Sequence, residues 1–299
     1  MADIIGQLTK EFNLKLFQVQ NAVKLIDEGN TIPFIARYRK EATGELNDQV
    51  LRELYERLVY LRNLEARREE VKRLIEEQGK LTDELSNAIA KANTLQETDD
   101  IYRPFRPKRR TRATVAKEKG LEPLAEIIFE QKITDKSIED IAKPFINPEK
   151  EVNTIEDALN GAMDIIAENI SDNAVFRKHI RDIFFQSGII ISQAKKEEES
   201  VYKMYYDFKE PVSKIANHRV LAINRGEKDE FLQVKISVPE EVPINYLKAN
   251  TVKKTKSVTS VYVERAAEDS YDRLIFPSIE REVRNELTER AEEQAMKVF

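Results

Sequence analysis

The sequence of 299 residues contains no cysteine, no tryptophan and two histidines, His179 and His218, which lie far apart. Without cysteine, the chain cannot form disulfides, thiolate zinc sites, iron–sulfur clusters or a cysteine nucleophile. Two separated histidines also argue against a histidine-centred catalytic apparatus and against most familiar metal sites. We therefore expect a protein that is not an enzyme and that uses neither a cofactor nor a metal ion.

Long apolar runs and glycines are scarce as well. No stretch approaches the ~18 consecutive apolar residues that a helix needs to span a bilayer. Asp3 stands where a secretory signal peptide would carry positive charge. These features predict a cytoplasmic protein that does not contact membranes. The 8 glycines and the 34 % of charged residues favour exposed, charge-laced helices, and so a mainly α fold.

Acidic residues are nearly missing from one segment, Arg103–Lys119, in which Glu118 is the single acid. The segment has eight basic residues and a net charge of +7, which leaves −12 for the rest of a chain whose total is −5. We call this segment the basic island. The excess positive charge is therefore confined to this segment and is not a property of the whole protein. Its basic residues are Arg103, Arg106, Lys108, Arg109, Arg110, Arg112, Lys117 and Lys119.

The N-terminal residues predict two short helices joined by a tight turn. Apolar residues recur at spacings of three and four from Leu16 to Ile26, which predicts one helix that ends near Gly29. Thr31 can cap a second helix, and Pro33 is tolerated in its first turn. Together these signals predict a helix-turn-helix element.

A long helix is predicted between Asn47 and Gln78, a range without proline or glycine. Its apolar positions recur on average every 3.5 residues or so, a period close to that of coiled coils. About 32 residues would span ~48 Å. Two interpretations stay open: a dimerising coiled coil, or a spine against which later helices of the same chain pack. Arg68 interrupts the apolar stripe, which favours the spine. The stripe is formed by Leu54, Leu58, Leu61, Leu64, Val71 and Ile75.

The later part of the chain predicts further helices and a small β element. Pro104 and Pro107 exclude a continuous helix through the basic island. Residues 189–194 and 231–238 are rich in β-branched and aromatic residues, which predicts strands. Gly226 is expected to end the helix before the second strand.

The domain organisation is predicted from the same signals. We expect a helical domain over residues 1–200 and a mixed region over residues 201–299. A last helix from Pro277 reaches Phe299 without a glycine, a proline or a capping residue. Because helices normally end with such a signal, we expect the chain to be a fragment of a longer protein.

Four stretches resemble one known family, the Tex family of bacterial transcription accessory proteins. They occur in order along nearly the whole chain, and the third is too long to match by accident. The stretches are TIPFIARYRKEATGEL at Thr31–Leu46, IEEQGKL at Ile75–Leu81, DDIYRPFRPKRRTRATVAKEKGLEPLA at Asp99–Ala125, and HRVLAINRGE at His218–Glu227.

The resemblance implies an architecture and a set of partners. In Tex proteins a helical N-terminal region with a helix-turn-helix element precedes an RNase H-like domain, helix-hairpin-helix segments and a C-terminal S1 domain. The S1 domain is an OB-fold that binds RNA. The implied partners are RNA or single-stranded nucleic acid, mainly through those later domains, and the transcription machinery.

Two hypotheses of function follow. In the first, the chain is a helical scaffold whose basic island binds nucleic acid. In the second, it is a protein-interaction module that contacts RNA polymerase, the ribosome or other domains of the same protein. For the island itself, phosphate contact competes with a structural role in which its arginines clamp Asp99 and Asp100, and with a protein-partner site. The candidate nucleic-acid residues are Arg103, Arg106, Lys108, Arg109, Arg110, Arg112 and Lys117, with Tyr102 and Phe105 as stacking aromatics.

A second basic group, Arg37, Arg39 and Lys40, lies on the second helix of the predicted helix-turn-helix. If that helix were a DNA recognition helix, these basic side chains would enter the major groove. Phe34, Ile35 and Tyr38 share the helix and are expected to be core, which argues against such reading.

Overall fold

The computed structural model describes residues 3–196, 198–253 and 257–298. Helices dominate these residues, and three short strands form one antiparallel sheet. The predicted mainly α fold with a small β element is therefore confirmed. The chain forms two compact units, Met1–Phe105 and Arg106–Phe299, so the units do not divide near residue 200, where the sequence predicted a boundary. No helix within the described ranges is long and apolar enough to cross a membrane.

The first unit is built around one long helix. Its described helices are α1 (Ile4–Glu11), α2 (Leu16–Asp27), α3 (Ile32–Tyr38), α4 (Asp48–Glu76), α5 (Asp83–Lys91) and α6 (Leu95–Tyr102). Gly29, at φ +83°, lies in the turn between α2 and α3. The helix pair thus forms as predicted, while its use as a DNA-reading element stays a prediction.

Helix α4 is a spine within its own unit. Leu54 and Leu58 pack with residues of α1, α2 and α3, and Val71 and Ile75 pack with α5 and α6. Arg68, which interrupts the stripe, donates from Nε to the carbonyl of Ala92 at the end of α5 (3.1 Å). Because the stripe is buried in this way, it is not available as the seam of a coiled-coil dimer. Every stripe residue is buried, namely Leu54, Leu58, Leu61, Leu64, Val71 and Ile75.

The second unit is centred on a buried helix. α10 has its apolar residues from Ala158 to Ile170 in the core and packs against α7, α8 and α14. The described helices are α7 (Arg112–Glu118), α8 (Glu122–Glu130), α9 (Ile138–Ala142), α10 (Ile155–Ser171), α11 (Ala174–Ser187), α12 (Asn217–Lys228), α13 (Glu241–Thr251), α14 (Ser260–Asp269) and α15 (Phe276–Val298).

The sheet has the order β2-β1-β3, with β1 at Ile189–Ala194, β2 at Asp207–Pro211 and β3 at Leu232–Ser237. Both neighbours are antiparallel to β1, and Ile190 lies opposite Glu210 on one side and Ile236 on the other. The two strands predicted from the sequence are confirmed. β2 was not predicted, because its five residues include two acids, a lysine and a proline.

Helix α12 continues through Gly226, where the sequence predicted its end. Gly226 is buried, and a Cβ atom there would lie 2.5 Å from Cδ1 of Leu232 in β3. The glycine therefore allows the strand to approach the helix closely instead of terminating it.

Helices α14 and α15 are joined without a break, whereas the sequence predicted that the last helix begins separately at Pro277. Residues Ser270–Ile275 form a π-helical turn between them. Pro277 has no N–H group, and its ring crowds the carbonyl of Arg273 four residues earlier. A widened turn accommodates this crowding while keeping Tyr271 and Ile275 in the core.

Candidate nucleic-acid interface

The aromatic residues at the start of the basic island are core residues. Tyr102 ends α6 and is 6 % exposed, in a cluster with Val71, Ile75 and Ile89. Phe105 is half-buried and packs against the same cluster. The rings of Tyr102 and Phe105 thus take part in the packing of α4, α5 and α6, and their stacking on bases stays a prediction that this packing disfavours.

The predicted clamp involves an arginine from outside the island. Asp99 on α6 accepts two hydrogen bonds from Arg67 of α4, at 2.8 Å from Nε and 2.6 Å from Nη2. Asp100 is 2 % exposed and accepts from Gln96. In the island, Arg103 is half-buried, and both Arg103 and Arg106 are engaged in interactions within the chain.

Lys108 has a structural role, although it differs from the predicted clamp of Asp99 and Asp100 by arginines. Its Nζ forms an ion pair with Asp172 and a second with Glu168 at 3.2 Å. Both carboxylates are largely buried, with 9 % and 13 % of their side chains exposed. Lys108 thus holds the chain before α7 against the end of α10, and its charge is not available to a phosphate.

Three arginines on either side of the start of α7 remain exposed: Arg109, Arg110 and Arg112. We call them the arginine cluster. Thr111 between them caps α7, since its Oγ1 accepts the backbone N–H of Thr114 at 3.0 Å. Arg110 approaches Glu118 at 3.8 Å, in a pair whose side chains are 74 % and 64 % exposed. Within the described part of the chain, Arg109 and Arg112 form no ion pair.

The last lysines of the island have partners. Lys117 pairs with Glu122 at 3.0 Å, and Lys119 pairs with Glu151 at 3.5 Å. Such half-exposed pairs contribute little to stability, but they reduce the local positive charge. The cationic surface that the island offers is therefore the arginine cluster.

A cavity of about 470 Å³ lies beside the arginine cluster. Arg110, Arg112 and Lys119 line one part of it, and Asp157 and Asp164 of α10 line another. Hydrogen bonds from Thr154 lower the pKa of Asp157. Burial raises the pKa of Asp164, and the neighbouring Arg273 and Arg112 oppose that increase. The cavity lining thus combines cations with two carboxylates, which would repel phosphate.

The aromatic residues of α3 lie on the surface. Phe34 is 36 % exposed and Tyr38 is 60 % exposed, while Ile35 is fully buried. The prediction that all three are core is wrong for Phe34 and Tyr38. A helix of seven residues turns only one face to the core, and Ile35 supplies it. The i,i+4 spacing of Phe34 and Tyr38 places both rings on one face of the helix, but the sequence alone does not show that this face is exposed.

The comparisons with known proteins agree with the resemblance found in the sequence. The family described as Tex-like protein N-terminal domain matches residues 2–76, and the family described as Tex central region-like matches residues 134–299. The chain is 47 % identical over 297 residues to "Uncharacterized protein YdcI" of Bacillus subtilis. The aligned residues cover 98 % of the chain and 41 % of that protein.

Two further relatives carry descriptive names. "Transcriptional accessory protein Tex" of Neisseria gonorrhoeae is 36 % identical over 300 residues, covering 98 % of the chain and 39 % of that protein. "S1 RNA-binding domain-containing protein 1" of Homo sapiens is 28 % identical over 315 residues, covering 99 % of the chain and 31 % of that protein. The chain thus spans between about a third and two fifths of the length of these relatives. Because the central-region match alone covers more than half of the sequence, the chain belongs to the Tex family.

Proposed function

We propose that this chain is the N-terminal helical scaffold of a transcription accessory protein, and that it binds single-stranded nucleic acid without sequence preference through the arginine cluster. The observation that carries the proposal is the exposure of Arg109, Arg110 and Arg112 beside a structural lysine, Lys108, whose charge is already neutralised. The names of two relatives, one a transcriptional accessory protein and one with an S1 RNA-binding domain, support the class of partner.

The expected binding is weak and sensitive to salt. The basic island has eight cations, but the arginine cluster offers three. Each neutralised phosphate of a single strand contributes about −0.7 to the slope of log affinity against log salt concentration. Three contacts therefore contribute about −2 to the slope, a much shallower contribution than expected if all eight cations of the island followed the backbone.

Fluorescence anisotropy with a labelled single-stranded RNA at low salt tests the proposal. The variant Arg109→Gln/Arg110→Gln/Arg112→Gln should bind more weakly than the wild type. A matched control, Lys195→Gln/Lys209→Gln/Lys235→Gln, removes the same charge from exposed positions on or beside the sheet of the same unit. It should bind nearly as well as the wild type. Equal weakening in both variants, or none in the arginine variant, would remove the cluster from the account.

We also propose that this part of the protein is not an enzyme. Its two histidines are separate: His179 stacks on Tyr246, with ring centroids 3.8 Å apart, and His218 is exposed on α12. In the ranges that the structure describes, no three histidine or carboxylate side chains gather as metal ligands would. Incubating purified chain with labelled RNA and Mg²⁺ or Mn²⁺ tests this. Cleavage that persists through further purification would contradict it.

A protein-interaction role is the second candidate, favoured by exposed apolar side chains at the end of α8 and the start of α14. Phe129 and Ile133 are 44 % and 75 % exposed, and Val258 and Val261 are 41 % and 44 % exposed. Ser257 donates to the carbonyl of Lys132 (2.9 Å), which brings the two segments together. Co-elution of the chain with purified RNA polymerase tests this role. The role is supported if Ile133→Asp abolishes co-elution and Arg109→Gln/Arg110→Gln/Arg112→Gln leaves it intact.

A further inference from the structure

A second surface with the composition of a nucleic-acid site lies in the first unit, at the C-terminal end of α3. It consists of Phe34, Arg37, Tyr38, Arg39 and Lys40, which we call the α3 surface. The rings of Phe34 and Tyr38 have centroids 5.2 Å apart and planes inclined at 46°. The guanidinium carbon of Arg39 lies 5.3 Å from the centroid of Phe34.

The exposure of the two rings is not explained by packing within the fold. Large aromatic side chains supply much of the burial in a core, yet α3 is anchored by Ile35, which packs with α1, α2 and α4. A tyrosine that is 60 % exposed adds little to that anchor. Two adjacent exposed rings therefore form a small apolar platform on the protein surface.

The backbone just beyond α3, from which Arg39 and Lys40 project, is held by hydrogen bonds. Thr43 is fully buried, and its N–H donates to the carbonyl of Arg39 at 3.1 Å. Side chains of α2 hold the next residues: Asn21 donates to the carbonyl of Ala42 at 2.7 Å, and Gln18 to that of Gly44 at 2.9 Å. Such pre-organisation lowers the ordering cost of binding.

The charges of the surface favour an anionic partner. Arg37, Arg39 and Lys40 lie within four residues of one another, and neither Arg37 nor Lys40 forms an ion pair with a described residue. Aromatic faces accept any base, while cations beside them meet phosphates, which is how proteins bind single strands without reading sequence. A duplex offers no free base faces for such stacking.

We propose that the α3 surface binds single-stranded nucleic acid, with bases stacked on Phe34 and Tyr38 and the neighbouring phosphates contacted by Arg37, Arg39 and Lys40. This site is independent of the arginine cluster. The two aromatics closest to the cluster in the sequence are packed against α4 and α5, Tyr102 buried and Phe105 half-buried. Dependence of binding on the bases is therefore the property that identifies the α3 surface.

The test compares two labelled strands of about 12 nucleotides, an oligothymidylate and an abasic strand with the same number of phosphates. We expect the wild-type chain to bind the oligothymidylate more tightly. In Phe34→Ala/Tyr38→Ala this preference should vanish, because each lost stack weakens binding between about fivefold and a hundredfold. Affinity for the abasic strand should stay unchanged. Arg37→Gln/Arg39→Gln/Lys40→Gln should weaken binding of both strands and reduce the salt slope by about 2.

Two further proteins serve as controls. Tyr55→Ala/Phe129→Ala removes two aromatics that are 43 % and 44 % exposed elsewhere, and it should keep the preference for bases. Phe34→Leu/Tyr38→Leu retains apolar side chains without aromatic faces, guards against loss of folding, and should lose the preference.

Three results would overturn the proposal: equal wild-type affinity for both strands, a preference that survives in Phe34→Ala/Tyr38→Ala, or a preference that Phe34→Leu/Tyr38→Leu retains. The last would show that apolar contact, and not stacking on aromatic faces, holds the bases. None of these results tests the arginine cluster. Its role in binding is tested separately, by the affinity of Arg109→Gln/Arg110→Gln/Arg112→Gln for RNA.

Discussion

Arg177 of α11, which has no exposed side-chain surface, forms an ion pair with Glu282 of α15. Glu282 also accepts from Arg181 at 2.8 Å and from Ser278 at 3.1 Å. One carboxylate thus contacts two arginines and joins two helices that border the core of the second unit.

Replacing Glu282 should destabilise the second unit strongly. In Glu282→Ala the buried guanidinium of Arg177 loses its ion pair with this carboxylate, and breaking a buried pair costs about 3–5 kcal/mol. Denaturant unfolding followed by circular dichroism measures the loss. The exposed pair of Lys178 and Asp182, at 3.9 Å, is the control, and Asp182→Ala should cost less than about 1 kcal/mol. Similar losses in the two variants would contradict the buried-pair account.

Gly226→Ala should also destabilise the second unit, although alanine favours helix. The helical preference of alanine is worth about 1 kcal/mol. The new Cβ, however, would lie 2.5 Å from Cδ1 and 2.9 Å from Cγ of Leu232, and overpacking of a core costs about 1–3 kcal/mol. Thermal unfolding should therefore show a net loss.

The matched test is a double-mutant cycle with Leu232→Ala, which removes the two closest atoms and leaves Cδ1 of Tyr202, at 3.1 Å. Gly226→Ala should then be neutral or stabilising in the Leu232→Ala background. Equal effects of Gly226→Ala in both backgrounds would show that the contact with Leu232 is not the reason for the glycine.

Tyr102→Ala distinguishes a core residue from a stacking residue. The ring is 6 % exposed, so its removal should cost about 3 kcal/mol or more of the stability of the first unit. The exposed Tyr55 is the control, and Tyr55→Ala should stay within about 0.5 kcal/mol of the wild type. At a temperature where Tyr102→Ala is folded, we expect unchanged RNA affinity. A stable variant with weaker binding would restore Tyr102 to the nucleic-acid site.

Asp164 should make stability depend on pH. Burial raises the pKa of its carboxyl in the folded chain above that of the unfolded chain, near 3.9. The folded state then binds its proton more tightly, so stability falls as pH rises from the unfolded pKa through the folded one. Asp164→Asn has no carboxyl to ionise at this position, so it lacks this loss of stability at higher pH. The variant should gain stability relative to the wild type at pH 7 and less, or none, below the unfolded pKa. A gain that is the same at both pH values would contradict the prediction.

The periodic elements of the fold could be predicted from sequence, and the non-local ones could not. Helix α4 is predictable because its apolar stripe, from Leu54 to Ile75, repeats with the period of the helix itself. β2 is not, because Asp207–Pro211 has a single large apolar residue, Phe208, and becomes a strand only by pairing with β1.

The candidate site shows the same limit. Tyr102 and Phe34 are both aromatic residues beside cations, and no local pattern distinguishes them. Tyr102 is buried because α4 and α5 supply Val71, Ile75 and Ile89 around it, whereas Phe34 is exposed because Ile35 already fills the contact with the core. In the same way, Lys108 differs from Arg109 only because Glu168 and Asp172 reach it from a distant helix.

The most direct test of the central claim is the salt dependence of binding to a labelled single-stranded RNA. Log affinity is measured against log salt concentration for the wild type and for Arg109→Gln/Arg110→Gln/Arg112→Gln. If the arginine cluster contacts the phosphates, the slope of the variant should be shallower by about 2. Identical slopes would contradict the claim that this cluster binds nucleic acid.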